Sequence, residues 1–342
     1  MPKVLKYLIL VTLAALLVAG AAGGVWLRTQ WLALGKPAGA PEAIVTVDKG
    51  TTFGEVVGRL REAGFSPNRR ALRLYTRYHP EILRVKAGDY AVGPSDSTLA
   101  VLGRIRRGEV IQRSVTIPEG WNLKAIAEAV EAAELAPAPE FLRLATDTTF
   151  LSELQIPAAS LEGYLFPDTY RFARHVGAAS VIQAMIARFR RSLPADYEER
   201  ARAVGLSAHQ AVILASIIEK ETAATQERRL ISAVFHNRLK KHMRLQSDPT
   251  VIYGIVGYDG NIHKRNLLEV TPYNTYRING LPAGPIASPG QDALLAAVEP
   301  AAVNYLYFVS RNDGTHVFSA NLKQHNLAVD KFQKSLLHRV SR

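Results

Sequence analysis

The sequence predicts an α+β protein: an N-terminal transmembrane helix, a small α+β subdomain and a larger α+β domain. Three observations carry that prediction. Tyr7–Leu27 is a run without a charged side chain; a strand, a glycine turn and an amphipathic helix occur twice in the same order; and an apolar helix ends at Glu219-Lys220-Glu221. The 342 residues exceed the usual size of one core, so two globular parts are expected. The chain has no Cys, which excludes structural disulfides, thiolate metal sites and a Cys nucleophile. Its formal charge of +12 favours anionic surroundings. No Gly-rich phosphate loop, Cys/His zinc spacing or basic-aromatic stripe accompanies that charge. No nucleic-acid partner, metal site or cofactor is therefore expected.

Residues 1–6, with Lys3 and Lys6, read as a cytoplasmic tail, and 7–27 as the membrane span. Ala19-Gly20-Ala21 resembles a signal-peptide cleavage site, but the run is longer than a typical signal core, and Trp26 and Trp31 suit an outer interface. A retained anchor is the better reading. Residues 28–42 read as a linker, because Gly35, Pro37, Gly39 and Pro41 discourage regular structure.

The small subdomain, 43–112, opens on Val45-Thr46-Val47-Asp48-Lys49-Gly50, which Val115-Thr116-Ile117-Pro118-Glu119-Gly120 echoes at the start of 113–342. Each is a β-branched strand and a Gly turn before an amphipathic helix, near Phe53–Ala63 and Leu123–Ala133. Between them lie a helix at Pro67–Tyr78, a strand at Lys86–Val92 and a helix at Ser97–Arg107. The unit resembles the LysM modules that bind N-acetylglucosamine polymers; a plain α+β packing unit would look the same.

In the larger domain, Glu140–Leu154 and Ser160–Phe172 are helical and loop segments. Leu161–Tyr170 is dense in aromatics, holds Glu162 and Asp168, and could line a sugar site or pack a core. Gln226–Met243 reads as a helix with an apolar stripe at Leu230, Val234, Phe235 and Leu239. Arg244–Thr250 and Thr271–Tyr276 read as polar loops, the second leading into Gly280–Pro285. Asn312-Asp313-Gly314 marks a hairpin between Tyr305–Ser310 and Thr315–Ser319, and Asn321 with Gln324 caps a last helix to about Leu337.

The chemistry points to Glu219. Ser207 with Gln210 is a capping box, so a helix begins just after Ser207 and runs through the uncharged stretch Ala211–Ile218. At about 100° per residue Glu219 shares a face with Val212, Ala215, Ser216 and Thr222, while Glu221 points elsewhere. No basic residue lies three or four positions away, so a helical ion pair does not explain Glu219. A carboxylate above a floor of small residues suits a cleft wall, where desolvation raises its pKa and fits it for general-acid work. A helix-end Glu facing water is the alternative.

Ordinary glycosidases use two carboxylates. Asp248 and Asp168 are the polar-loop candidates for the second, without comparable context. One carboxyl suffices for a single substrate class. In peptidoglycan the C6 hydroxyl of N-acetylmuramic acid can attack its own anomeric carbon, so one Glu could act first as acid and then as base, leaving a 1,6-anhydro end. Ser/His/Asp catalysis has no support, since no G-x-S-x-G elbow is present. His316 could contact a sugar or be structural.

At Leu214–Thr222 the sequence resembles the YceG-like (MltG) family of endolytic murein transglycosylases. The likeness continues through Phe235–Leu239, Leu245–Gly254, Tyr273–Tyr276, Gly280–Pro282, Tyr305–Val309, His316, Phe318 and His325-Asn326. Ala283 and Ser288 depart from it, where a second Pro and an Asn are usual. The resemblance implies Glu219 as the catalytic residue. It also implies cleavage within nascent glycan strands, a single-pass inner-membrane protein with a periplasmic catalytic domain, and work near the peptidoglycan synthases. Gln246, Asp248, Tyr273, Asn274 and Tyr276 are the hypothesised substrate-site residues. The rivals are a muramidase-type hydrolase, in which Asp248 or Asp168 positions a water, and a non-catalytic glycan-binding scaffold.

Overall fold

The computed structural model describes residues 3–35 and 37–334. The fold is α+β, and the chain divides into two compact units, Met1–Arg113 and Ser114–Arg342. The first unit begins with helix α1, Lys3–Gly35. Its Leu5–Gly35 stretch is long and apolar enough to cross a membrane. The expected linker is corrected here, because residues 28–35 continue the helix. No proline lies between Pro2 and Pro37, and the last turns find packing partners: α1 lies against α3 (Arg69–Tyr78) and α4 (Thr98–Arg107). Trp31 meets the edge of Tyr75 at 6.2 Å, and Leu34 is buried.

Strands β1 (Ala43–Val47) and β2 (Gly88–Val92) pair antiparallel, Val45 opposite Tyr90. Helix α2 (Phe53–Glu62) starts at a capping box of Thr52 and Glu55, and α4 starts at Ser97. The period-2 positions Val45 and Val47 then meet Val56 and Leu60 of α2 and Val101, Leu102 and Ile105 of α4 in one core.

In the second unit β3 (Gln112–Thr116) pairs with β4 (Thr169–Ala173). Gly120, in the left-handed region at φ +77°, turns the chain into α5 (Leu123–Ala132), capped by Asn122. Helices α6 (Ala138–Leu144), α7 (Thr148–Glu153), α8 (Ala178–Ser192) and α9 (Tyr197–Ala203) follow. Then comes α10 (Ala208–Glu221), whose Ser207–Gln210 capping box is formed and whose residues 211–218 are all buried. A 3-10 turn, Thr225–Glu227, leads into α11 (Arg228–Lys240). Helices α12 (Asp248–Tyr253), α13 (Lys264–Leu268) and α14 (Gln291–Val298) precede the hairpin of β5 (Tyr307–Ser310) and β6 (His316–Ser319). Helix α15 (Leu322–Val329) passes into a π turn at Asp330–Lys334; the expected end near Leu337 lies outside the described residues. α10 packs chiefly on α14 and α11, so the helix carrying Glu219 is enclosed by later parts of the chain. Asp248, expected in a loop, opens α12, because Pro249 at the first helical turn gives up no hydrogen bond there.

Candidate functional site

Glu219 sits in the last turn of α10 with its side chain 6% exposed. Three segments meet around it. Ser216, one turn earlier, donates to the Ile213 carbonyl and accepts the Ile286 N–H at 3.0 Å, fastening the loop before α14 to α10. The turn after β3 joins the same loop: Gly120 N–H donates to Ser288 O at 2.9 Å, and Ser288 N–H donates to Trp121 O at 2.7 Å. Gly290, at the end of that loop, donates its N–H to Glu219 Oε2 at 3.0 Å. A Cβ on Gly290 would stand 1.8 Å from Glu119 Oε1, so a side chain here would require the half-exposed Glu119 carboxylate to swing away.

The opposite oxygen, Glu219 Oε1, accepts from Arg228 Nη2 at 3.0 Å. Arg228 is the first residue of α11, its side chain 7% exposed, and it is shared: Glu119 lies 3.3 Å and Asp292 3.4 Å from its guanidinium. Burial pushes the Glu219 carboxyl above its ordinary range, and Glu119's charge adds to the rise; the Gly290 N–H and Arg228 pull the other way. Burial wins because the one cation is divided among three carboxylates. Beside this group lies a hollow of about 420 Å³ lined by Glu119, Gly120, Glu219, Lys220, Thr222 and Arg228. A carboxyl whose proton affinity is raised by burial, backed by a cation and an N–H that steady the ion once the proton leaves, can act as acid and then as base.

Glu221 faces a second hollow of about 290 Å³, whose wall includes Arg238, Gln246, Asp248, Tyr276 and Phe308. Ser247 Oγ donates to the Glu221 carboxyl, and burial, reinforced by Asp248, pushes that group up to about 7. Asp248 Oδ1 accepts from the Tyr276 hydroxyl at 2.7 Å, and Gln246, held at φ +52°, presents Oε1 to Arg238 at 3.4 Å. Glu221 borders both hollows; Gln246, Asp248 and Tyr276 line the second and Glu219 the first.

Tyr273 and Asn274 are placed differently. Tyr273 packs against Tyr253 at 4.8 Å between ring centroids. Asn274 is 1% exposed, and its amide donates to the carbonyls of Asn266 at 2.9 Å and Glu269 at 2.6 Å. Its expected substrate contact is corrected to a loop-holding one, since its donors are already used inside the fold. Asp168 borders neither hollow; Arg188, bonded at 2.6 Å, holds its carboxyl below the usual range. His316 is held by Glu227, Nδ1 to Oε2 at 2.7 Å, and is mostly buried. Glu162 accepts the N-terminal N–H of α5 at Leu123 and the Tyr253 hydroxyl, and burial pushes it up to about 7. Among the described residues no cluster suits a metal ion.

Sequence reasoning missed Arg228, Glu119 and Gly290. Arg228 lies nine positions after Glu219 and reaches it across a helix-to-helix turn, which helical periodicity does not register. Glu119 was visible only as part of the repeated strand-and-turn unit.

The sequence profile of the YceG-like family matches residues 45–331. A protein of Bacillus subtilis (strain 168) named endolytic murein transglycosylase is 30% identical over 307 residues, covering 85% of this chain and 85% of that protein. A protein of the same name from Streptococcus pneumoniae serotype 2 (strain D39) is 29% identical over 326 residues, covering 86% of this chain but only 59% of its own length. A crystal structure of a yceG-like protein from Listeria monocytogenes, 30% identical, aligns with a TM-score of 0.58 over 84% of this chain and 99% of that one.

Proposed function

The chain belongs to the YceG-like family, and from that premise we propose that it is an endolytic lytic transglycosylase of peptidoglycan. In this reading Glu219 gives its proton to the leaving oxygen of the bond between N-acetylmuramic acid and N-acetylglucosamine. The resulting carboxylate then takes the proton of the C6 hydroxyl as O6 bonds to the anomeric carbon, which closes the 1,6-anhydro ring. No water is consumed, and Glu219 ends as it began, protonated. Arg228 and the Gly290 N–H steady the carboxylate between the two transfers. The observation that carries the proposal is the buried Glu219, its carboxyl pushed upward by burial and held by Arg228 and the Gly290 N–H, opening on a polar hollow.

Gln246, Asp248 and Tyr276 are proposed to hold the strand along the second hollow, with Tyr273 supporting their loop. Residues 43–112 are proposed as a LysM-like subdomain, and 113–342 as the catalytic domain. We place α1 in the inner membrane with its N-terminus cytoplasmic and the rest periplasmic, beside the synthases that supply nascent glycan. One observation favours a second reading. Glu119 and Glu219 share Arg228, so a hydrolase would have its second carboxylate in Glu119, not in Asp168 or Asp248.

Mass spectrometry of muropeptides released from purified glycan by the wild-type protein and by Glu219→Gln tests both readings. Anhydro ends from the wild type and none from the variant are expected. Reducing ends would overturn the lytic reading in favour of hydrolysis through Glu119. No product from a folded wild type that binds glycan would leave the scaffold.

A further inference from the structure

Helix α3 carries Arg69, Arg70, Arg73 and Arg77 and no acidic residue. All four arginines are exposed, and none makes an ion pair within the described residues. At about 100° per residue they occupy one arc of roughly 100°, opposite the face that holds Ala71, Leu72 and Tyr75. Surface arginines on a folded unit usually find acidic neighbours or are spread around it; here four share one unpaired face.

The position of α3 gives that face a context. The charge-free run Tyr7–Leu27 has the length of a bilayer's hydrocarbon core, about 30 Å, and Arg28 follows it directly. Trp31 therefore stands about 6 Å beyond the core, at headgroup depth. Trp31 is also where α3 docks: its ring meets Tyr75 at 6.2 Å and His79 at 6.4 Å. A helix fixed to α1 at that depth turns its outward face into the headgroup layer. We propose that the Arg69–Arg77 face of α3 is a docking surface for anionic phospholipid headgroups, holding the first unit against the bilayer that α1 spans. Guanidinium groups suit this partner because they bind phosphate oxygens in pairs and tolerate partial desolvation. The inference rests on α1 being a membrane span and is independent of the chemistry at Glu219.

The test uses the full chain in nanodiscs of phosphatidylcholine alone or mixed with phosphatidylglycerol, read by amide hydrogen exchange across residues 69–78. The α3 amides are expected to exchange about threefold or more slowly in the anionic discs. High salt is expected to erase the difference. The variant Arg69→Gln, Arg70→Gln, Arg73→Gln, Arg77→Gln should lose it while the rest of the first unit exchanges as before. Equal exchange of the wild type in both discs overturns the proposal without recourse to any variant. So does a lipid effect that survives in the variant, or protection given by added glycan fragments and not by the anionic lipid. Failure of the chain to enter either disc overturns the anchor reading, and the docking surface with it.

Discussion

Burial raises the proton affinity of Glu219, and its neighbours compensate the ion only in part. One guanidinium is divided among Glu119, Glu219 and Asp292, and one backbone N–H reaches Oε2. Glu219→Gln keeps the shape but accepts only one of the two hydrogen bonds, because its amide nitrogen only donates, and it has no proton to exchange. We expect turnover of glycan to fall by roughly 10²–10⁴-fold, with binding retained. Arg228 lowers the proton affinity of Glu219. Arg228→Met is therefore expected to raise it, moving the Glu219 limb of the pH–rate profile to higher pH; an unmoved limb would show that Arg228 does not act on this carboxyl. Glu162 offers a prediction on stability. Its folded value of about 7 lies above the ordinary 4.5, so its contribution is complete below about 4.5 and is lost as pH rises through 7. Glu162→Gln should remove a pH-dependent difference on the order of 3 kcal/mol across that window, read from denaturant titrations of wild type and variant.

The elements around Glu219 matter as carriers of backbone. Helix α10 supplies the carboxyl, α11 the cation, and the loop before α14 the N–H. Ser216 joins the first and third of these. Ser216→Ala would leave the Ile286 N–H buried without a partner, at a cost of about 1–3 kcal/mol. A larger loss of activity than of melting temperature is expected, because the loop it frees also positions Gly290. Gly290→Ala places a methyl where the Glu119 carboxylate lies, so that half-exposed side chain must swing away from Arg228. Glycan cleavage should fall in a variant whose far-ultraviolet circular dichroism is unchanged. Full activity would show that the position of the Glu119 carboxylate does not matter to Glu219.

At the scale of the whole molecule, α1 serves two environments. Its earlier turns are exposed and apolar, and its last turns pack on α3 and α4. Where the chain is cut should then matter. Removing residues 1–25 keeps Trp31 and Leu34 in place, and the soluble remainder should melt as the full chain does in detergent. Removing 1–36 also takes away the buried Leu34, a loss of about 1.5–3 kcal/mol from the first unit. Equal melting of the two truncations would mean that these last turns add nothing to the unit.

The sequence by itself determined many of the local elements and singled out Glu219 as the candidate acid. A charge-free run sets a membrane-length helix, β-branched alternation before Gly50 and Gly120 sets strand and turn, and Ser207 with Gln210 sets where α10 begins, because each signal is carried by neighbours in the chain. Glu219 stood out for the same reason, as the charge that ends Ala211–Ile218. Its partners did not, since Arg228, Glu119 and Gly290 reach it through tertiary packing that no periodicity encodes. Helix α8 escaped although Val181, Ile182, Met185, Ile186 and Phe189 form an apolar stripe, and α14 is too short for such a pattern. Asn274 was misplaced because a polar residue in a loop reads alike whether its donors face a ligand or the loop's own carbonyls. Burial decides that, and burial is a property of the assembled chain.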